Sequence, residues 1–205
     1  MSITEYNGSS IVAMTGEGCV AIASDTRLGI QFQTIDTNFK KIFRMGPRLF
    51  IGLAGLATDV QTVYQRLTFR ANLFKLREER ELSFEVLLAM IRNILYERRF
   101  GPFFVDPIIA YFDAETGQPR IANTDLIGAE CTASDFAVAG TGSEELYGMC
   151  EALWKPDLKP DGLFEAISQS LVNAMDRDAL SGWGGEVYLI EKDKVTKSSL
   201  KTRMD

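Results

Sequence analysis

Gly8-Ser9, Asp25 and Lys41 lie within the first 41 residues of the chain, with Arg27 two places beyond the aspartate. No histidine is present. That absence excludes Ser-His-Asp and Cys-His catalysis, the usual zinc sites and an imidazole pH switch. A base for a hydroxyl nucleophile would have to be a lysine, a carboxylate or an α-amine. A hydroxyl nucleophile can be activated by the free α-amine of its own residue, which titrates near ~7.7–8.0 and can accept a proton at neutral pH. A nearby lysine ammonium would stabilise the alkoxide and disfavour a second positive charge, lowering the pKa of both groups. An aspartate beside the lysine would keep it charged and in place. A glycine N–H at a strand end can stabilise an oxyanion, and Gly52-Leu53-Ala54-Gly55 offers one. Asp178-Ala179-Leu180-Ser181-Gly182 adds an acid and a hydroxyl.

The same residues have a purely structural use. Asp25, Arg27, Lys41 and Asp178 could form a buried ionic cluster, in which removing one partner strands a charge. Gly140-Thr141-Gly142-Ser143 could bring backbone N–H groups to an anion. No Walker lysine follows it, though, and Glu144 and Glu145 sit where a phosphate would go, so it reads as a tight turn and helix start. Cys19, Cys131 and Cys150 are odd in number and lack C-x-x-C spacing. They fit a reducing compartment, with Cys19 in the core.

The elements that must position these groups follow from hydrophobic period. Residues 10–15 and 19–26 form a hairpin about Gly16-Glu17-Gly18, extended character continues through Phe32–Phe43, and Arg48–Gly55 is an apolar strand. From Thr58 to Arg80 the period becomes helical (Val60, Val63, Leu67, Ala71, Phe74). Ser83 caps a second helix that Gly101-Pro102 stops. Strands resume at 107–113, 121–125, 129–132 and 136–139. A third helix opens at Ser143, and a fourth is capped by Asp161. After a glycine-rich loop at 181–185 comes a strand at 187–190, then a polar tail. Strands and helices come in blocks, which predicts antiparallel sheets with helix pairs outside them: an α+β, four-layer αββα sandwich. The chain forms one domain, 1–205, with no linker or repeat.

Apolar residues make up 46% and charged residues 24%, with 22 basic against 28 acidic side chains. The net charge of -6 and the lack of a basic stripe predict no nucleic-acid partner. No apolar run approaches the ~20 residues needed to span a membrane, and the first eight residues lack the form of a secretory signal.

Several motifs together resemble the proteasome beta subunits. They are Ala23-Ser24-Asp25-Thr26-Arg27, Lys40-Lys41-Ile42-Phe43, Gly52-Leu53-Ala54-Gly55-Leu56-Ala57-Thr58-Asp59, Ala139-Gly140-Thr141-Gly142-Ser143 and Asp176–Gly182. Met1-Ser2-Ile3, Tyr6-Asn7-Gly8, Arg99-Phe100-Gly101-Pro102, Asp125-Leu126-Ile127-Gly128 and Arg203-Met204-Asp205 are similar to the type-3 branch of that family. The resemblance implies the N-terminal nucleophile hydrolase fold. It puts Ser9 at the nucleophile position, where active members carry threonine, and Gly8 at the glycine before the cut. Asp25 and Lys41 match the family's acid and lysine, Gly55 its oxyanion glycine, and Thr141, Asp178 and Ser181 its supporting positions, with Thr141 replacing the more usual serine. It further implies a non-catalytic subunit of the 20S core particle of ubiquitin-dependent protein degradation, keeping residues 1–8 as a short leader, with these positions as structural remnants.

The implied partners are other beta subunits in a seven-membered ring, the alpha ring and the opposite beta ring, in cytoplasm and nucleus. No cofactor or metal is implied. Asp125 resembles an acid that helps line the neighbouring type-2 subunit's pocket, and the nearby position that often holds cysteine is Ala129. Asp125 could equally be a turn carboxylate. The alternative function is an active peptidase using Ser9 after cleavage following Gly8.

Overall fold

The computed structural model describes residues 2–204. A 3-10 turn, Ile3–Glu5, is closed by a Ser2/Glu5 capping box. It precedes strands β1 (Ser10–Gly16), β2 (Cys19–Asp25), β3 (Leu28–Ile30), β4 (Gln33–Asp36), β5 (Ile42–Arg44) and β6 (Leu49–Gly55). Helices α1 (Ala57–Glu78) and α2 (Phe84–Tyr96) follow, then β7 (Val105–Phe112), β8 (Pro119–Thr124), β9 (Glu130–Ala133) and β10 (Phe136–Gly140). Helices α3 (Ser143–Leu153) and α4 (Pro160–Met175) and strands β11 (Gly185–Glu191) and β12 (Val195–Leu200) complete the chain.

Two five-stranded antiparallel sheets result, in the orders β10-β1-β2-β11-β12 and β5-β6-β7-β8-β9, with β3 and β4 as a separate two-stranded sheet. Successive side chains of a strand point to opposite faces, and here both faces are covered. Ile11, Ala13, Val20 and Ile22 enter the layer between the sheets, with Ile42, Phe50, Ile108 and Ala110. Their neighbours Val12, Met14, Ala21 and Ala23 point outward to Leu146, Leu163, Ile167 and Leu171 of α3 and α4. On the second sheet, Leu49, Ile51 and Leu53 meet Val63, Leu67, Leu87 and Ile91 of α1 and α2. The expected αββα sandwich is therefore present. Double burial explains why these strands read as continuous apolar runs rather than alternations.

Some local expectations are corrected. The polar tail is the edge strand β12, paired with β11 from Gly185↔Leu200 to Ile190↔Val195. One face meets solvent, so its sequence Val-Thr-Lys-Ser-Ser-Leu carries few apolar residues. The stretch from Phe32 to Phe43 is two short strands separated by an irregular segment. Asp161 is not the cap of α4: the helix starts at Pro160 after Lys159, and Asp161 lies in its first turn, where its charge favours the helix dipole. Helix α2 ends at Tyr96, ahead of Gly101-Pro102, while Ser83 does cap it, accepting Val86 N–H at 3.3 Å.

Candidate functional site

Strand β2 ends in Asp25, fully buried. Its Oδ1 accepts Lys41 Nζ at 2.6 Å and Ser10 N–H at 3.0 Å, and its Oδ2 accepts Gly182 N–H at 3.3 Å. Lys41 is 3% exposed and also donates to the Gly8 carbonyl at 3.3 Å. Burial pushes the Asp25 carboxyl up from the usual carboxylate range, against the pull of Lys41 and the two backbone N–H groups. Burial likewise pushes the Lys41 amine down, against the pull of Asp25. The pair is thus held together by mutual compensation in a dry site.

A second network backs the first. Ser10 Oγ donates to Ser181 Oγ at 2.8 Å, and Ser181 Oγ donates to Asp178 Oδ2 at 2.5 Å. Thr141 Oγ1 donates to the same Oδ2 at 2.7 Å and accepts the Ser9 N–H at 3.1 Å. Leu180 N–H donates to Asp178 Oδ1 at 3.0 Å. Two hydroxyls and an amide therefore satisfy Asp178. The Gly140-Thr141-Gly142 turn exists for this contact. A Cβ on Gly140, at φ +98°, would strike the Ser9 backbone, and one on Gly142 would strike Ser10 Oγ. Close packing of the turn on β1, not phosphate binding, accounts for its glycines.

The expected four-charge cluster is only half right. Lys41 and Asp25 form the ion pair, whereas Arg27 gives its hydrogen bonds to neutral oxygens. These are Leu180 O at 2.8 Å, Gln31 O at 2.9 Å, Asn7 O at 3.4 Å and Thr34 Oγ1 at 2.9 Å. It is 1% exposed. Its role is to tie Asn7, Gln31, Thr34 and Leu180 around the site, with Asp25 and Asp178 near enough to favour its charge against the cost of burial.

The structure gathers Ser9, Asp25, Lys41, Thr141, Asp178 and Ser181, and Gly55 lines the small cleft beside Gly8, Ser9 and Lys41. Asn7, Arg27, Leu53 and Ala57 close that cleft to about 10 Å³. Asp125 stands apart, on the turn after β8. Its Oδ1 accepts Ile127 N–H at 3.0 Å and Ala129 N–H at 2.7 Å. It also lines a cavity of about 340 Å³ with Asp106, Asn123, Ala129 and Cys131. The turn-carboxylate use considered for Asp125 thus has a geometric basis. Burial and the Asp125 charge push Asp106 up from the usual carboxylate range. Sequence reasoning passed over Ser10, whose hydroxyl, rather than that of Ser9, heads the chain to Asp178. It also passed over Asn7, which is 8% exposed. A doubled serine after Asn-Gly was the only available signal.

An αββα sandwich with a hydroxyl residue at the head of its first long strand, backed by a buried Lys–Asp pair, defines the N-terminal nucleophile hydrolase class of fold. A family model for proteasome subunits matches residues 5–190, and the chain belongs to that family. It is 60% identical over 205 residues, the whole of both chains, to proteasome subunit beta type-3 of Drosophila melanogaster. It is 55% identical over 205 residues, again all of both chains, to proteasome subunit beta type-3-B of Arabidopsis thaliana. With proteasome subunit beta type-3 of Saccharomyces cerevisiae it shares 52% identity over 202 residues, 98% of each chain. It is accordingly a beta-type subunit that matches the type-3 branch from fly, plant and yeast.

Proposed function

We propose that this chain is a non-catalytic, structural beta subunit of the 20S core particle, contributing to ubiquitin-dependent protein degradation in cytoplasm and nucleus. The likeness over the whole chain to beta type-3 subunits of fly, plant and yeast carries the reading; wherever the Gly8–Ser9 bond is intact, the Ser9 nitrogen is an amide that donates to Thr141 Oγ1 at 3.1 Å. An amide nitrogen is not basic, so the hydroxyl has no α-amine to take its proton. Lys41, the remaining candidate, already gives its hydrogen bonds to Asp25 and the Gly8 carbonyl. Residues 1–8 then serve as a retained leader, and Ser9, Asp25, Lys41, Gly55, Thr141, Asp178 and Ser181 hold shape rather than turn over substrate. Neighbouring beta subunits in a seven-membered ring, the alpha ring and the opposite beta ring are its partners. Through the free Asp125 oxygen it offers a carboxylate to an adjoining pocket, where it would favour a basic substrate side chain.

Intact mass of this chain from the purified particle tests the assignment. The expected mass retains residues 2–8, with or without Met1 or an acetyl group. A chain beginning at Ser9 would restore the α-amine and establish the peptidase reading instead.

A further inference from the structure

Asn7-Gly8 is a pair whose own reactivity the site does not use. An asparagine followed by glycine is open to cyclisation, because glycine has no Cβ to hinder its nitrogen. The Gly8 nitrogen attacks the side-chain carbonyl carbon of Asn7, Cγ, and forms an N–Cγ bond. The Cγ–Nδ2 bond breaks, and Nδ2 leaves as ammonia with the proton of the Gly8 N–H. Water then adds to either carbonyl of the five-membered imide and opens it. The product is aspartate or, with the main chain rerouted through the side chain, isoaspartate. Water is the only co-reactant.

The fold holds the reacting atoms apart. Asn7 is 8% exposed, and its carboxamide is fixed at both ends. Nδ2 donates to the Gly29 carbonyl at 2.8 Å, and Oδ1 accepts the N–H of Ala57, the first residue of α1, at 2.8 Å. The main chain on either side is fixed as well. Gln31 N–H donates to the Tyr6 carbonyl at 2.8 Å, Arg27 Nη1 to the Asn7 carbonyl at 3.4 Å and Lys41 Nζ to the Gly8 carbonyl at 3.3 Å. Gly8, at φ +72°, packs so closely on Leu180 that a Cβ would strike its backbone. Ring closure needs Cγ to turn onto the Gly8 nitrogen. That turn breaks both carboxamide bonds in a buried place, where leaving such groups unpaired is costly.

We propose that Asn7–Gly8 is a deamidation site that the docked leader switches off, so that conversion at Asn7 records the time this chain has spent with its leader undocked. The proposal rests on retention of the leader, as proposed above. Conversion runs one way. An aspartate would set a carboxylate oxygen, which cannot donate, against the Gly29 carbonyl, and would bury a charge. Isoaspartate adds a main-chain carbon between Tyr6 and Gly8, which takes the Tyr6 carbonyl and the Gly8 carbonyl out of step with Gln31 and Lys41. Neither product restores the docked contacts. The linkage is thus reactive in the unfolded chain and inert in the folded subunit.

Peptide mass spectrometry of aspartate and isoaspartate at residue 7 tests this. Three samples are incubated side by side at neutral pH: the assembled particle, the same particle unfolded in urea, and an assembled particle carrying Ala57→Pro. Proline is tolerated at the first position of a helix, Leu56 before it is already extended, and the change removes the N–H that Asn7 Oδ1 accepts. Conversion is expected to run roughly a hundredfold faster in the unfolded chain than in the particle, the factor that two buried hydrogen bonds supply, and roughly tenfold faster in Ala57→Pro. Equal rates in the folded and unfolded chains, a comparison that needs no variant, overturn the proposal, as do equal rates in Ala57→Pro and the parent. A native particle whose chain lacks residue 7 overturns the retention reading and the proposal with it, so the two failures are told apart. On a particle carrying Asn7→Asp, amide exchange at Gln31 should be roughly tenfold faster than in the parent, the factor that one such bond supplies. An unchanged rate there overturns the one-way character of the site.

Discussion

Lys41 and Asp25 make one contact of 2.6 Å, and nearly everything about the site's stability follows from their lack of water. Bringing two charges into a dry interior is costly, and only their mutual attraction and the added N–H bonds to Asp25 offset it. Removing one partner leaves the other uncompensated. Lys41→Ala should therefore destabilise the folded chain by about 3–5 kcal/mol, far more than loss of a surface pair such as Arg70–Glu97. The paired change Asp25→Leu with Lys41→Met should cost less than Lys41→Ala alone. Urea denaturation of the three chains provides the comparison, and a Lys41→Ala chain as stable as the parent would contradict the account. Arg27 shows the other way to bury a cation: its fork spreads over three carbonyls and a hydroxyl without a direct ion pair.

At the scale of elements, the site depends on where strands and helices end. Asp25 lies at the end of β2, Gly55 at the end of β6 and Thr141 just past β10, so three strand ends deliver three groups to one edge of the sandwich. Strand β12 has a different task. It covers β11, whose Val187, Leu189 and Ile190 are buried, and its Leu200 packs toward the helix-side core. Deleting the chain from Lys192 onward would leave β11 as an open, apolar edge, a template for pairing with another chain. Sedimentation of that truncated protein should show self-association absent from the full chain. A shortened chain that stays as dispersed as the parent would mean that β12 does not guard the edge.

Across the whole molecule, burial sorts the three thiols into two environments. Cys19 and Cys150 lie in the core between the first sheet and its helices, whereas Cys131 is exposed on β9. Burial pushes both core thiols up from 9.0 to about 12. The native chain therefore keeps these protons after the unfolded chain has lost its own. Their contribution is complete below pH 9.0 and is lost as pH rises toward about 12. The slope is up to about 1.4 kcal/mol per pH unit for each thiol. Thermal midpoints recorded across that range should fall, and replacing both core cysteines by alanine should flatten the fall. At neutral pH a maleimide should label Cys131 rapidly and reach Cys19 and Cys150 only on unfolding. Rapid labelling of all three in the folded protein would mean that the helix-side layer opens to solvent.

The sequence by itself determined the order of elements, the sandwich and the identity of the acid, lysine and hydroxyls, because each was carried by local signals. Hydrophobic period marks strands and helices, and short motifs mark strand ends. It did not determine β12, whose half-exposed strand has the composition of a tail. Nor did it determine the boundary between the two charge systems. Asp25, Arg27, Lys41 and Asp178 look equivalent as a list of charges, and only packing decided that Arg27 would meet carbonyls while Asp178 met hydroxyls. The same holds for Ser10 and Asn7. Their partners Ser181 and Ala57 lie 171 and 50 residues away. Hydrogen bonds across such separations leave no periodic trace in a sequence, because they form only after the two sheets have closed and excluded the water that would otherwise satisfy the same groups.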